Sequence, residues 1–379
     1  GGIMYGQRGI PVILDFCKDI RAVSRPDCLF LNYANPNAML TWAANTYGGV
    51  RTIGLCHGVQ AGHFLIADAL GVKKDDLDIV CAGINHQAWY VQIRYRGKDM
   101  TDRLLNALEK HPVYSKTEKV RIDMLKSFGY FSTESNGHLS EYVAWYRKRP
   151  KEIKKWIDTG HGIGGETGGY LRICREGRNL FETDFRRMMK KEPLKYLPAR
   201  RSVEHGSRII EGLETGRIYR GHFNVVNNGC ISNLPDDAVV EVPGYADANG
   251  VGIPHVGPLP LGCAAVCNAS ITVQRLAVEA AVRGDETLLR QAMMMDPLTG
   301  AVCDPPEIRQ MADEMLIAQE KWLPQYAKAV RDAKERRRTG RQIPTKKYRG
   351  AVRLKVRTAA EIRKEMEVEK KKTAKRSER

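Results

Sequence analysis

The 379-residue sequence lacks an unbroken apolar run of the length that crosses a bilayer. Its longest candidate, residues 258–273, is interrupted by Pro, Gly and Asn, so no membrane-spanning helix is expected. It also lacks paired cysteine spacing. Nine cysteines lie scattered, which argues against a disulfide scaffold and for a reducing, cytoplasmic setting. No signal peptide is visible in GGIMYGQRGIPV, and an opening Gly in place of Met predicts a fragment of a longer protein. Strong charge is missing from most of the chain as well. Residues 328–379 hold 21 Lys and Arg against 7 Asp and Glu, which is +14 of the formal +17 and leaves +3 for the other 327 residues. Basicity thus belongs to an appendage, and the body shows no phosphate-backbone surface.

What the sequence does contain is concentrated between residues 29 and 90. Three apolar runs, LFLNYANPNAML, TIGLCHGVQ and DIVCAGINHQAWY, each end in polar residues. Between them, AMLTWAANTYGG and VQAGHFLIADALG carry helical spacing closed by Gly48 and Gly71. Strand, helix, strand, helix, strand predicts an α/β fold with parallel strands and crossovers. Ligands of such sheets bind at the carboxyl ends of the strands. Asn35, Cys56, His57, Asn85 and His86 would then face one crevice. Singly, each has a plainer reading: Asn35-Pro36 as a turn, Cys56 as a buried thiol, His86 as a core imidazole bonded to a carbonyl. Jointly, one thiolate and one imidazole could hold a catalytic metal with positions open to substrate oxygens.

Around this stretch, residues 10–22 carry a helical pattern after Pro11. WYVQIRYRGKDM alternates as a half-exposed strand. TDRLLNALEKH reads as a helix with Thr101 as N-cap, and residues 118–127 as another. A helix over 138–146 would align His138, Tyr142 and Tyr146, a stripe that packing alone can explain. The glycine-clustered KEIKKWIDTGHGIGGETGGYLR reads as a mobile loop without the Gly-Lys-Ser/Thr of a phosphate loop. Residues 222–243 suggest two strands around Asn-Gly and Pro-Asp turns, and 268–294 and 306–330 suggest helices. Beyond Arg331 the apolar residues thin out into a solvated or disordered tail.

LNYANP, GLCHGVQ, AGINHQAW, the TES…SEY stretch and NLPDDAVVEVPGYADANG together resemble glycoside hydrolase family 4, the NAD- and manganese-dependent glycosidases, and within it the α-galactosidase type. The match covers roughly residues 1–327 and lies outside the two-carboxylate glycosidase scheme. The resemblance implies an incomplete Rossmann-like parallel sheet followed by an α+β domain, similar to lactate and malate dehydrogenases. On that reading residues 1–87 are the C-terminal part of a dinucleotide-binding domain, 88–330 the catalytic and substrate domain, and 331–379 the basic tail. It implies NAD near Asn35, Mn²⁺ on Cys56 and His86, and Tyr142 as base with Tyr146 behind it. Glu134, ahead of Glu141, would assist departure of the aglycone. Asn35, His57 and Asn85 would bind the sugar. Partners implied are a glycoside or oligosaccharide substrate and further copies of the chain as a dimer or tetramer, with neither membrane nor nucleic acid.

Two departures matter. No G-x-G-x-x-G follows a strand before residue 29, so the first half of a nucleotide domain is expected to be missing. The α-galactosidase type usually reads Cys-His-Ser-Val where this chain has Cys-His-Gly-Val. That leaves α-glucuronidase, α-galacturonidase and α-glucosidase as alternative activities. A 2-hydroxy-acid dehydrogenase is a further alternative from the shared fold, and nucleic-acid binding through the basic tail another. The implied chemistry is hydride removal at C3 of the sugar by NAD, loss of the C2 proton to Tyr142, departure of the aglycone, water addition and return of the hydride. The missing pyrophosphate turn sets a first test. By itself the chain is expected to be inactive or nearly so; titrating NAD against it should show no micromolar binding, and a micromolar dissociation constant would show that its start was misread.

Overall fold

The computed structural model describes residues 1–157, 184–191, 204–344, 360 and 364. Helical spacing at the start of the chain extends further than its pattern suggests. Helix α1 spans Gly2–Val23 with Pro11 inside it. Its Gly6 and Gly9 lie against helix α2 (Asn37–Thr46), where an added Cβ would come within 3.0 Å of Met39 Sδ and 3.1 Å of Leu40 Cδ2. Between the two helices lies β1 (Phe30–Asn32), and α2 returns the chain to β2 (Thr52–Gly54). These strands are parallel, with Leu31 opposite Ile53, the Rossmann-like pairing that the strand-helix-strand pattern predicts. Helix α3 (Gly58–Leu70) follows and stops at Gly71, whose φ of +66° suits glycine best.

The third strand corrects the expectation of three parallel strand ends. Strands β3 (Leu77–Ile84) and β4 (Gln87–Tyr95) form an antiparallel hairpin. β3 is not a neighbour of β2: strands from residues 219–226 and 239–247 come between them through three antiparallel ladders, so β3 runs opposite to β1 and β2. The sheet runs unbroken past residue 87, where β4 begins. β5 (Lys98–Asp99) and β6 (Phe131–Ser132) both pair with β4. β7 (Tyr219–Val226) and β8 (Val239–Asp247) enter between β2 and β3, giving the order β1-β2-β7-β8-β3-β4-β5, and β9 (Gly250–Gly252) borders β8.

Helix α4 (Thr101–Lys110) is preceded by Asp99, whose carboxylate accepts from Thr101 N at 2.8 Å; Met100, not Thr101, holds the capping position. α5 (Lys119–Phe128) is followed by the short α6 (Asn136–Tyr142). Val143 is extended, so the helix expected to reach 146 ends early and Tyr146 leaves the His138–Tyr142 face. After α7 (His205–Thr215) and the β7–β8 hairpin come α8 (Leu261–Arg283), α9 (Glu286–Met295), α10 (Pro305–Ala318) and α11 (Ala327–Thr339). Contrary to the broken run expected, α8 is continuous for 23 residues, because the prolines stop at its N-cap, Pro260. By length and composition it could cross a membrane. Here its Cys263, Cys267, Ile271 and Ala277 are buried in the main core with residues of α1, α2 and α9. Residues 331–339 are helical too, not a disordered tail, since Ala333 is buried and Arg336 binds Asp313 at 2.9 Å. The tail from residue 345, apart from 360 and 364, and the glycine cluster from residue 158 lie outside the described residues.

One side chain sets β1 and β2 level at their carboxyl ends. Buried Asn37 donates from Nδ2 to Asn32 O at 3.0 Å and to Leu55 O at 3.2 Å. It passes so close to β2 that a Cβ on Gly54 would lie 2.1 Å from its Oδ1, which is why glycine stands there. Asn37→Ala would leave the Leu55 carbonyl without this donor, while Asn32 O keeps its bond from Leu55 N at 2.9 Å. It should lower stability by about 2 kcal/mol, measured as a lower urea midpoint at unchanged slope.

Candidate metal centre and active site

Three segments converge at this end of the sheet. Cys56 lies between β2 and α3, His86 at the tip of the β3–β4 hairpin with φ +64°, and Glu134 just beyond β6 with φ +73°. The ladder between β4 and β6 sets Trp89 opposite Ser132, which brings Glu134 up to the hairpin tip. Cys56 Sγ, an imidazole nitrogen of His86 and a carboxylate oxygen of Glu134 all lie within 4.8 Å of one another. Each non-glycine residue at positive φ carries a backbone cost, and both here aim a ligand atom at the same point.

Burial governs the electrostatics. Desolvation pushes the Cys56 thiol far above its ordinary range, and Glu241 and Glu134 push it further. Desolvation lowers His86, so its imidazole is neutral and free to ligate. His86 Nε2 lies 3.4 Å from Glu134 Oε2, and Nδ1 lies 2.8 Å from Tyr142 Oη. Tyr142 is itself held far above the usual phenol range by burial, with Glu141, Glu134 and Cys56 adding to the shift. His138 stands 6.0 Å from His86, ring to ring, its Nδ1 paired with Ser135 Oγ at 2.7 Å.

The other tyrosine and the other carboxylate lie elsewhere. Tyr146 donates to Asp123 at 2.7 Å and packs edge-on against Trp156, a structural post. Glu141 pairs with Arg147 at 3.4 Å. Glu134, expected as the acid for the aglycone, stands among the ligand atoms, a place that suits a metal ligand better than a proton donor.

The rim joins His57, Asn35 and Asn85, which the sequence singled out, to Glu204, His205 and Tyr33, which it did not. His57 is exposed at the N-cap of α3, and its Nε2 lies 2.8 Å from both carboxylate oxygens of Glu204. That bond holds the Glu204 carboxyl below its ordinary range. His205 bonds Cys56 O through Nε2 at 3.0 Å and Tyr219 Oη through Nδ1 at 2.7 Å, bracing the Cys56 loop from behind. Tyr33 lies beside His57 with the rings tilted by 32° and their centroids 6.0 Å apart, and its hydroxyl accepts from Gly206 N at 2.9 Å. Asn35 is exposed past β1, with its Oδ1 turned back to accept from Asn37 N at 3.3 Å. Asn85 is buried beside Cys56 and Glu241, too loosely placed for its Nδ2 to make an ordinary hydrogen bond. Glu241 and Asn224 were also missed. A lone Glu inside the apolar VVEVP was the available signal for the first, and Asn224 had none.

A thiolate, an imidazole and a carboxylate with a phenol beyond them can hold a divalent ion and pass a proton nearby. The comparisons with known proteins agree with that chemistry. The sequence pattern of family 4 glycosyl hydrolases matches residues 1–72, and that of the family's C-terminal domain matches residues 81–299. The chain is 57% identical over 371 residues to an alpha-galactosidase of Rhizobium meliloti, covering 98% of this chain and 76% of the relative. It is 36% identical to an alpha-galactosidase of Bacillus subtilis, covering 86% and 73%. Among solved structures, a glucosidase of Bacillus subtilis shares the fold with a TM-score of 0.70 at 23% identity, covering 83% of this chain and 74% of the other. The 6-phospho-beta glucosidase of Thermotoga maritima, solved with manganese, NAD⁺ and glucose-6-phosphate, gives 0.64 at 23%, covering 85% and 72%. The chain belongs to the family 4 glycosyl hydrolases.

Proposed function

We propose that this chain acts as an α-galactosidase that opens the glycosidic bond by removing the hydrogen on C2 of the sugar, with a divalent manganese ion and NAD as cofactors. The observation that carries it is the contact of Tyr142 Oη with His86 Nδ1 while His86 Nε2 faces the Cys56–Glu134 ligand set. The 57% identity to an alpha-galactosidase supports the sugar.

The residues fit a metal. Cys56, His86 and Glu134 offer three donor atoms in reach of one ion and leave positions open, as a catalytic centre needs. Bound there, a divalent ion supplies Lewis-acid polarisation of sugar oxygens. For the dinucleotide, the β1 loop with Asn35 suits its nicotinamide end. Among the described residues no G-x-G-x-x-G turn joins a strand to a helix, so its phosphates find no matching cradle. NAD, when bound, supplies reversible oxidation at C3, which acidifies the hydrogen on C2.

The chain's own residues do the rest. With Nε2 of His86 committed to an ion, Nδ1 carries the proton and donates to Tyr142 Oη. That bond orients the phenol oxygen as acceptor for the C2 proton, and a cation nearby opposes the burial that otherwise holds the phenol protonated. His57, braced by Glu204, and the amide of Asn85 are the polar groups offered to sugar hydroxyls. Cys56 and His86 are half-buried, which limits the water that competes at the ligand atoms.

Two expectations follow from these roles. Cys56→Ser and His86→Ala should each abolish uptake of manganese in a calorimetric titration while the circular dichroism stays native; retained uptake in either would remove that residue from the ligand set. Tyr142→Phe keeps the packing and removes the accepting oxygen. Carried in the chain joined to a complete dinucleotide-binding half, and assayed with an α-galactoside, NAD in excess and manganese, it should lose at least about 10²–10⁴ in turnover. With the unmutated sequence in the same joined protein, product formed in heavy water should carry deuterium at C2. A two-carboxylate glycosidase never breaks that bond, so absence of the label would overturn the scheme.

A further inference from the structure

One carboxylate sits in the middle of the sheet where no role above employs it. β8 sets Val239, Val240 and Val242 around Glu241, which is 1% exposed. Across the ladders Glu241 faces Asn224 on β7 and Gly83 on β3, and Asn224 in turn faces Gly54 on β2. One row across four strands thus reads Gly54, Asn224, Glu241, Gly83, a polar pair between two glycines. Each glycine stands just ahead of a ligand-bearing segment, Gly54 before Cys56 and Gly83 before Asn85 and His86.

Asn224 and Asn85 present their side-chain amides to Glu241 and favour its charged form. Even so, Glu241 Oε1, Asn224 Oδ1 and Asn85 Nδ2 are buried without an ordinary hydrogen bond, an arrangement that costs stability until a further group completes it. Burial pushes the Glu241 carboxyl up to about 8, with Glu134 adding to the rise, and Glu241 in turn disfavours the Cys56 thiolate. Packing does not explain an acid here, since valines flank it. Beside bare Cys56 and Glu134 another carboxylate repels. Beside a divalent ion it attracts, and the amide of Asn85 lies between it and Cys56. The ionisable groups near Glu241 are Cys56 and Glu134 of the ligand set and the buried Cys81 and Tyr90, although Glu241 itself falls outside the cluster whose atoms lie within 4.8 Å.

We infer that Glu241 is a positioning residue of the metal centre, holding Asn85, and through it the His86 tip, against the Cys56 loop and adding a buried negative charge that retains a divalent ion. This rests on the metal centre proposed above. Metal-binding histidines elsewhere depend on such outer partners, whose loss weakens affinity about 10–100-fold.

Glu241→Gln keeps the shape and removes the acid. Manganese titrated into the unmutated chain, Glu241→Gln and Cys56→Ser, with the metal-free melting temperature of each, tests the inference. The Gln variant should bind about 10–100-fold more weakly with its metal-free melting temperature unchanged or raised. Loaded with Co²⁺, it should also shift the thiolate-to-cobalt absorption that reports the Cys56–metal bond. Should Glu241→Gln fail to fold, Glu241→Asp takes its place, with the same weakening expected. Affinity and cobalt spectrum identical to the unmutated chain would overturn the inference. If the unmutated chain binds, Cys56→Ser does not and the Gln variant matches the former, only the role of Glu241 falls. If the unmutated chain takes up no metal at all, the metal centre and this inference fall together.

Discussion

Gathering a thiol, an imidazole and a carboxylate in one half-buried pocket costs free energy that only a compensating charge removes, and this end of the sheet is arranged around that cost. Burial raises Cys56 and lowers His86, so both are held neutral when nothing else is present. An ion reverses the balance at the thiol, which must give up its proton to ligate, so uptake of metal and release of a proton are one event. The surrounding elements serve that geometry. Asn37 ties β1 to β2 so that the Cys56 loop leaves the sheet at a fixed level. His205 fixes the carbonyl of Cys56 from behind, and β6 delivers Glu134 from the far side of the hairpin.

The rim differs in character from the floor. His57, Glu204 and Tyr33 are exposed or half-exposed and bonded to one another, where water screens the ion pair and its worth is small. Such a pair adds little to stability, but it holds a polar imidazole upright at the mouth of the pocket. α7 begins at that point, so its first residues connect the mouth to the β7–β8 hairpin that carries Asn224 and Glu241.

Much of this was legible in the sequence, and the failures have physical causes. Cys56 and His86 were readable because each ends an apolar run in a polar dipeptide, and the structure brings them together. The direction of the strand bearing His86 was misread. β7 and β8, from more than a hundred residues further along the chain, insert between β2 and β3 and reverse its direction, and the local strand-helix rhythm holds no sign of them. Tyr142 and Tyr146 looked equivalent at helical spacing, because nothing in the sequence announces that Val143 leaves the helix. Glu204 and Asn224 could not be found this way. Their roles come from partners distant along the chain, and single-residue patterns carry no record of such contacts.

The ligand atoms come from three segments far apart along the chain, with α3 lying between the first two and α4 and α5 between the second and third. An ion at that junction is therefore a cross-link that closes two long loops together, and its contribution is entropic as much as electrostatic. Its absence would leave the hairpin ladder and the helical core intact, since Ile79, Ile84 and Trp89 remain buried without it. What would loosen is the junction alone: the tip at His86, the turn at Glu134 and the short loop at Cys56. Protection of amide hydrogens against exchange in this protein is thus set by two separate quantities, core packing for most of the sheet and metal occupancy for the three tips.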